Sequence, residues 1–143
     1  SLICGGTNRG WGSRGAKAYS LERLVWTGQT PFEIHEMRAQ HDGFELTFTK
    51  EVDLQSAGDP KSYDLQTFTY IYRADYGSPE VDQTNPTIDA IAVAADRKSV
   101  RLRVSQLQEG HIHELHVPGL RSADGLPLLH KEAYYTMNYL PAK

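Results

Sequence analysis

The sequence predicts an all-β chain folded as an antiparallel β-sandwich, on three observations. In Gly43–Thr49, Phe44, Leu46 and Phe48 alternate with Glu45, Thr47 and Thr49. In Ser99–Ser105, Val100, Leu102 and Val104 alternate with Arg101 and Arg103. Turn formers such as His41-Asp42-Gly43 and Ser122-Ala123-Asp124-Gly125 punctuate the runs. Successive side chains on a strand point to opposite faces, so strict alternation marks strands buried on one side only. Antiparallel sheets packed face to face meet that requirement.

The first thirty residues differ in composition. Gly5, Gly6, Gly10, Gly12 and Gly15 crowd around Trp11 and two arginines, a density that suits tight turns and close backbone approaches. No Gly-Lys-Ser/Thr follows, so a phosphate loop does not fit. Tyr19–Thr27 reads as a strand ended by Gly28. Residues 1–30 are therefore expected to be an N-terminal Gly-rich extension and residues 31–143 the sandwich.

Within the sandwich, Phe32–Ala39 and Phe44–Thr49 form a hairpin through the Asp-Gly turn. Asp53–Asp59 suits a short helical turn closed by Pro60, and Tyr63–Tyr72 reads as one long strand. Ala74–Pro86 is rich in turn formers and reads as an irregular excursion. Ile88–Ala94 and Ser99–Ser105 pair through Ala95–Lys98, and His111–Val117 and Ala133–Tyr139 complete the set. About seven strands after residue 31 is the count of an immunoglobulin-like sandwich.

Composition narrows the function classes. Among 143 residues, 39% are hydrophobic and 23% charged, as in ordinary globular chains rather than disordered ones. A net charge of −3 with scattered basic residues offers no field for nucleic acid or an anionic membrane. No apolar stretch approaches the roughly 20 residues of a membrane span. The single cysteine, Cys4, excludes an internal disulfide and reads as an inert small hydrophobe. With no initiator methionine, the chain reads as a fragment or processed product.

Two stretches resemble known families. Residues 31–140 resemble bacterial Ig-like domains, through Phe44–Thr49 with Val52-Asp53, Tyr63 opening a strand, Asp96–Leu102, and Gly110–Val117 followed by Asp124-Gly125. Such a resemblance implies a spacer or mount beside a catalytic module and no catalytic residue. GGTNRGWGSRG and YSLERLVWTGQTPFEIHEMRA resemble the junction after the β-propeller of secreted planctomycete-type sugar (glucose/sorbosone) dehydrogenase-like proteins. That resemblance implies that residues 1–30 are the tail of a preceding propeller module. It also implies a secreted or periplasmic location, a partner domain on the same polypeptide, and quinone and catalytic sites upstream. No cofactor, catalytic residue or metal ligand is assigned to the chain itself.

Three sets of side chains invite a functional reading. Tyr70 and Tyr72 share a register with Phe68, and with Tyr76 they suggest an aromatic platform for polysaccharide. The alternative, which the sequence favours, is that the 1–30 segment or the 74–86 excursion covers them, with a β-bulge near Thr67-Phe68 deciding which register faces the core. His111 and His113 lie two apart on a strand and share a face, as two metal ligands would, with His116 and Glu114 on the opposite face. A third ligand is not evident, and His113 falls where a large inward residue begins the series with Leu115 and Val117. It is expected to pack inside with one ring nitrogen bonded to a loop. Asp75, Glu80, Asp82 and Asp89 do not follow a calcium-loop spacing and are expected to be solvated loop charges.

Overall fold

The computed structural model of the chain describes residues 1–7 and 17–143. The chain divides into two compact units, Ser1–Thr30 and Pro31–Lys143. Trp11 lies outside the described residues.

In the first unit, β1 (Leu2–Thr7) pairs antiparallel with β2 (Tyr19–Leu24) as a separate two-stranded sheet. β1 was not expected, because Gly5 and Gly6 disguise it as a turn. The reason for glycine is local: Gly6 sits opposite Ser20, and a Cβ added there would lie 2.6 Å from the Ser20 Oγ. The glycine makes room for that side chain and is not required by a positive φ.

The second unit is a sandwich of two four-stranded antiparallel sheets. One sheet runs β3-β4-β8-β7, from Ile34–Gln40, Gly43–Phe48, Ser99–Val104 and Ile88–Val93. The other runs β10-β9-β5-β6, from Glu132–Met137, His111–His116, Asp64–Tyr70 and Glu80–Thr84. Lettered in chain order, these are the A-B-E-D and G-F-C sheets of the immunoglobulin sandwich with one strand added beside C.

The strand count corrects the expectation. Ten strands are described and eight belong to the sandwich, not seven. The added strand, β6, lies inside the excursion expected to be irregular. Its sequence, Glu80–Thr84, carries only Val81 as a large apolar residue and is largely exposed. An edge strand held by backbone pairing needs no apolar alternation, so its sequence does not announce it. It pairs with β5 across a register shift between Thr67 and Thr69, near the expected bulge. There, the Thr67 and Thr84 hydroxyls meet at 2.9 Å, and both approach the Gln108 side-chain oxygen.

The inward positions of the two sheets meet in one core. Phe44, Leu46, Val100 and Leu102 from the first sheet are fully buried, as are Leu115 and Met137 from the second. Burying one such side chain is worth roughly 1.5–3 kcal/mol. Phe32 precedes β3 yet is buried and stacks on Phe48 with centroids 5.7 Å apart. Phe44 on β4 lies 5.3 Å from the His113 ring on β9 and 5.7 Å from the Tyr135 ring on β10. This aromatic contact joins the two strands that in antibody domains carry the inter-sheet disulfide.

Local signals close the sandwich. Asp53 caps the short helix α1 (Leu54–Gly58), its carboxylate accepting from the Ser56 backbone N–H at 2.8 Å. This bond, with the Ser56 hydroxyl, holds the Asp53 carboxyl below its ordinary value. The Tyr63 hydroxyl donates to the Ala57 carbonyl at 2.7 Å, and burial pushes its pKa up. Gly43 ends the β3–β4 turn at φ +153°, where a Cβ would collide with the Leu102 carbonyl oxygen on β8.

Gly43→Ala is expected to lower the unfolding free energy by more than about 1 kcal/mol, because the position forbids a Cβ in both conformation and space. Urea denaturation measures this, and an unchanged midpoint would contradict it.

Candidate functional site

The tyrosines at the end of β5 separate into two groups. Tyr70 is the last residue of the strand, 47% exposed, with its ring edge-on to Phe68 at 5.5 Å. Tyr72 and Tyr76 lie beyond the strand and are fully exposed. The expectation of covered rings therefore holds for Phe68, at 4% exposure, and not for Tyr70 or Tyr72, and Tyr76 of the excursion expected to cover them is itself exposed. The loop that carries them is closed on itself. The Arg73 guanidinium donates twice to the Gly77 carbonyl, at 3.2 and 3.1 Å, and the Ser78 hydroxyl donates to the Ile71 carbonyl. The sheet does not place Tyr72 and Tyr76 in one row with Tyr70.

The histidine pair on β9 is also divided. His111 stands at the edge of the core. Its Nε2 lies 3.0 Å from the Asp82 carboxylate on β6, and its Nδ1 3.0 Å from the Glu109 carbonyl. His113 is fully buried, and its Nε2 accepts a long 3.5 Å bond from the Gln108 backbone N–H. Its Nδ1 is buried with no partner. Burial holds the His113 pKa below the ordinary histidine value, so the ring is neutral at pH 7. Among the described residues no group of three or more His, Cys, Asp or Glu is placed to hold a metal ion. Of the four acids expected in loops, Glu80 and Asp82 lie on β6 and Asp89 on β7; Asp82 faces His111 and Glu80 accepts from the Gln83 amide at 3.1 Å.

A constellation that no single segment announces lies on the outer face of the β10-β9-β5-β6 sheet. The register sets Asp64, His116 and Glu132 side by side, then Gln66, Glu114 and Tyr134, then Phe68, Ile112 and Thr136. Glu114 is the hub. One of its carboxylate oxygens accepts from the Gln66 amide at 3.0 Å. The other accepts from the Tyr134 hydroxyl at 3.0 Å and lies 2.9 Å from His116 Nε2. Its side chain is only 14% exposed, whereas Tyr134 is 59% exposed. The hydrogen bond to Glu114 holds the Tyr134 phenol above its ordinary pKa, with burial and the charges of Glu114, Glu132 and Glu80 adding. Alternation on β9 already sends Glu114 and His116 outward. Tyr134 and Gln66 join them only through strand register, which sequence alone does not supply.

No protein-family model matches the chain, and no curated protein matches it. Solved structures of a bacterial S-layer protein, SbsC, do match. A recombinant form aligns with 76% of this chain at TM-score 0.58 and 19% identity. A structure of its domains 1–6 aligns with 75% at 0.55 and 17%. The N-terminal part aligns with 76% at 0.57 and 17%. The likeness is one of fold. The chain spans 14% of the length of the first two structures and 24% of the third.

His113 sets a pH dependence of stability. Its folded pKa is depressed, so the unfolded chain takes up a proton first as pH falls below about 6.5. Stability from this group is fully present above that pH and is lost as the pH falls toward the folded value. Urea midpoints of the wild type should decline between pH 7 and 5, and His113→Phe should flatten that part of the profile. Parallel profiles would contradict it.

Proposed function

We propose that this chain is a non-catalytic accessory domain that spaces or orients a neighbouring module in a secreted or cell-surface multidomain bacterial protein. The observation that carries this reading is the fold's likeness to a module-sized part of a bacterial S-layer protein whose structure is divided into domains. An immunoglobulin-like sandwich closed around an apolar core is a self-supporting unit of the kind such proteins string together.

The first unit supports the same reading. A two-stranded ribbon is marginal by itself, and this one exposes Leu2, Ile3, Tyr19, Leu21 and Leu24 by more than half. A ribbon completed by another module presents side chains in this way. The module we infer is a sugar-oxidising propeller, because residues 5–15 and 19–39 resemble the junction that follows one, with its quinone and active site upstream.

The test is deletion in the natural polypeptide that carries the chain. Removing residues 31–143 should leave the turnover of the neighbouring module unchanged while altering its thermal stability or its distance from the next module in solution scattering. Loss of turnover with the neighbouring module still folded would overturn the reading. So would turnover of an aldose by the purified chain supplied with quinone and an electron acceptor.

A further inference from the structure

Across the outer face of the second sheet, Tyr134 on β10, Ile112 on β9 and Tyr70 on β5 fall on one diagonal of adjacent strands. Ile112 is opposite Thr136 and Phe68, one step beyond the row of Tyr134, and Tyr70 is one step further. Strand spacing and rise set the two tyrosines about 16 Å apart. Both rings are about half exposed, and between them Ile112 is half-buried and Phe68 buried. Glu114 and Gln66 border this apolar diagonal on one side.

We propose that this diagonal is a binding platform for a hexose oligosaccharide that is uncharged or carries free amines. The C–H face of a pyranose packs on an aromatic ring, and its hydroxyls need acceptors and donors beside that ring. Both are in place. The Tyr134 ring is pinned through its hydroxyl to Glu114, so little side-chain freedom remains to be lost on binding. The Gln66 amide donates to Glu114 and keeps its own oxygen as an acceptor on the far side of Glu114 from the Tyr134 strand. The length of the diagonal suits a chain of sugars rather than a single one.

Charge selects among glycans. Asp64, Glu80, Glu114 and Glu132 lie on this face, with His116 bonded to Glu114 and flanked by Asp64 and Glu132. Uronate-, sialate- or phosphate-bearing chains would be repelled, whereas amines would be attracted. Tyr72 and Tyr76 lie past the strand end and are not part of the diagonal. The platform adds a ligand to the spacer reading without depending on it, so its failure leaves that reading standing.

The test titrates the full isotope-labelled chain with three probes: a neutral β-glucan oligosaccharide, an amine-bearing glucosamine oligosaccharide and an oligogalacturonate. Amide shifts confined to β5, β9 and β10, produced by either of the first two and not by the third, are expected. Tyr134→Ala and Tyr70→Ala should each weaken binding by about tenfold. Their thermal midpoints should stay close to wild type, since both rings are exposed. Tyr134→Phe keeps the ring but frees it from Glu114, and should bind between wild type and Tyr134→Ala. No binding of either favoured probe, shifts elsewhere in the chain, preference for the uronate, or unchanged affinity in both alanine variants would each overturn the proposal. A lysine-rich peptide that shifts this face when the saccharides do not would overturn it in favour of protein docking.

Discussion

The two sheets of the sandwich share no hydrogen-bonded strand and are bridged by backbone bonds only at their margins, as between Val52 and Ser122. Their union at the middle therefore depends on their inward side chains. There Phe44 on β4 lies between the His113 ring on β9 and the Tyr135 ring on β10. With one cysteine in the chain, no disulfide can take this place. The aromatic contact and the aliphatic side chains around it hold the β3-β4-β8-β7 and β10-β9-β5-β6 sheets together. Aromatic pairs contribute about 0.5–1.5 kcal/mol beyond their buried area. A histidine here carries a cost, because its Nδ1 is buried without a partner. Its neutral state keeps that cost to one unmet hydrogen bond rather than a buried charge.

Because the inward positions of β9 and β5 serve the core, their outward positions are left for polar chemistry. His113 and Leu115 point in, which sends Ile112, Glu114 and His116 out toward Gln66 and Tyr134. Register thus turns one strand into both a core wall and a hydrogen-bonded surface. The surface is stiff because Glu114 accepts from groups on both neighbouring strands.

What the sequence conveys about this fold follows the strength of its apolar code. Alternation in Gly43–Thr49 and Ser99–Ser105 reads directly as β4 and β8, because both strands are buried on one face. The helical turn after Asp53 is legible through its cap. β6 is not legible, since an exposed edge strand is specified by backbone pairing rather than by side chains. β1 is hidden by Gly5 and Gly6, which sit in an extended strand rather than a turn, Gly6 against the Ser20 side chain. Of the outer constellation, only the outward pairing of Glu114 and His116 shows in the sequence. Gln66 is 48 residues from Glu114 and reaches it only once β5 and β9 are in register.

A double-mutant cycle on Phe44 and His113 tests the inter-sheet contact most directly. Phe44→Leu, His113→Leu and the double variant would be compared by urea denaturation at pH 7.5. If the ring contact ties the sheets together, the two substitutions should be coupled by about 0.5–1.5 kcal/mol. Additivity within about 0.3 kcal/mol would contradict it and leave the union of the sheets to aliphatic packing and the backbone bonds at their margins.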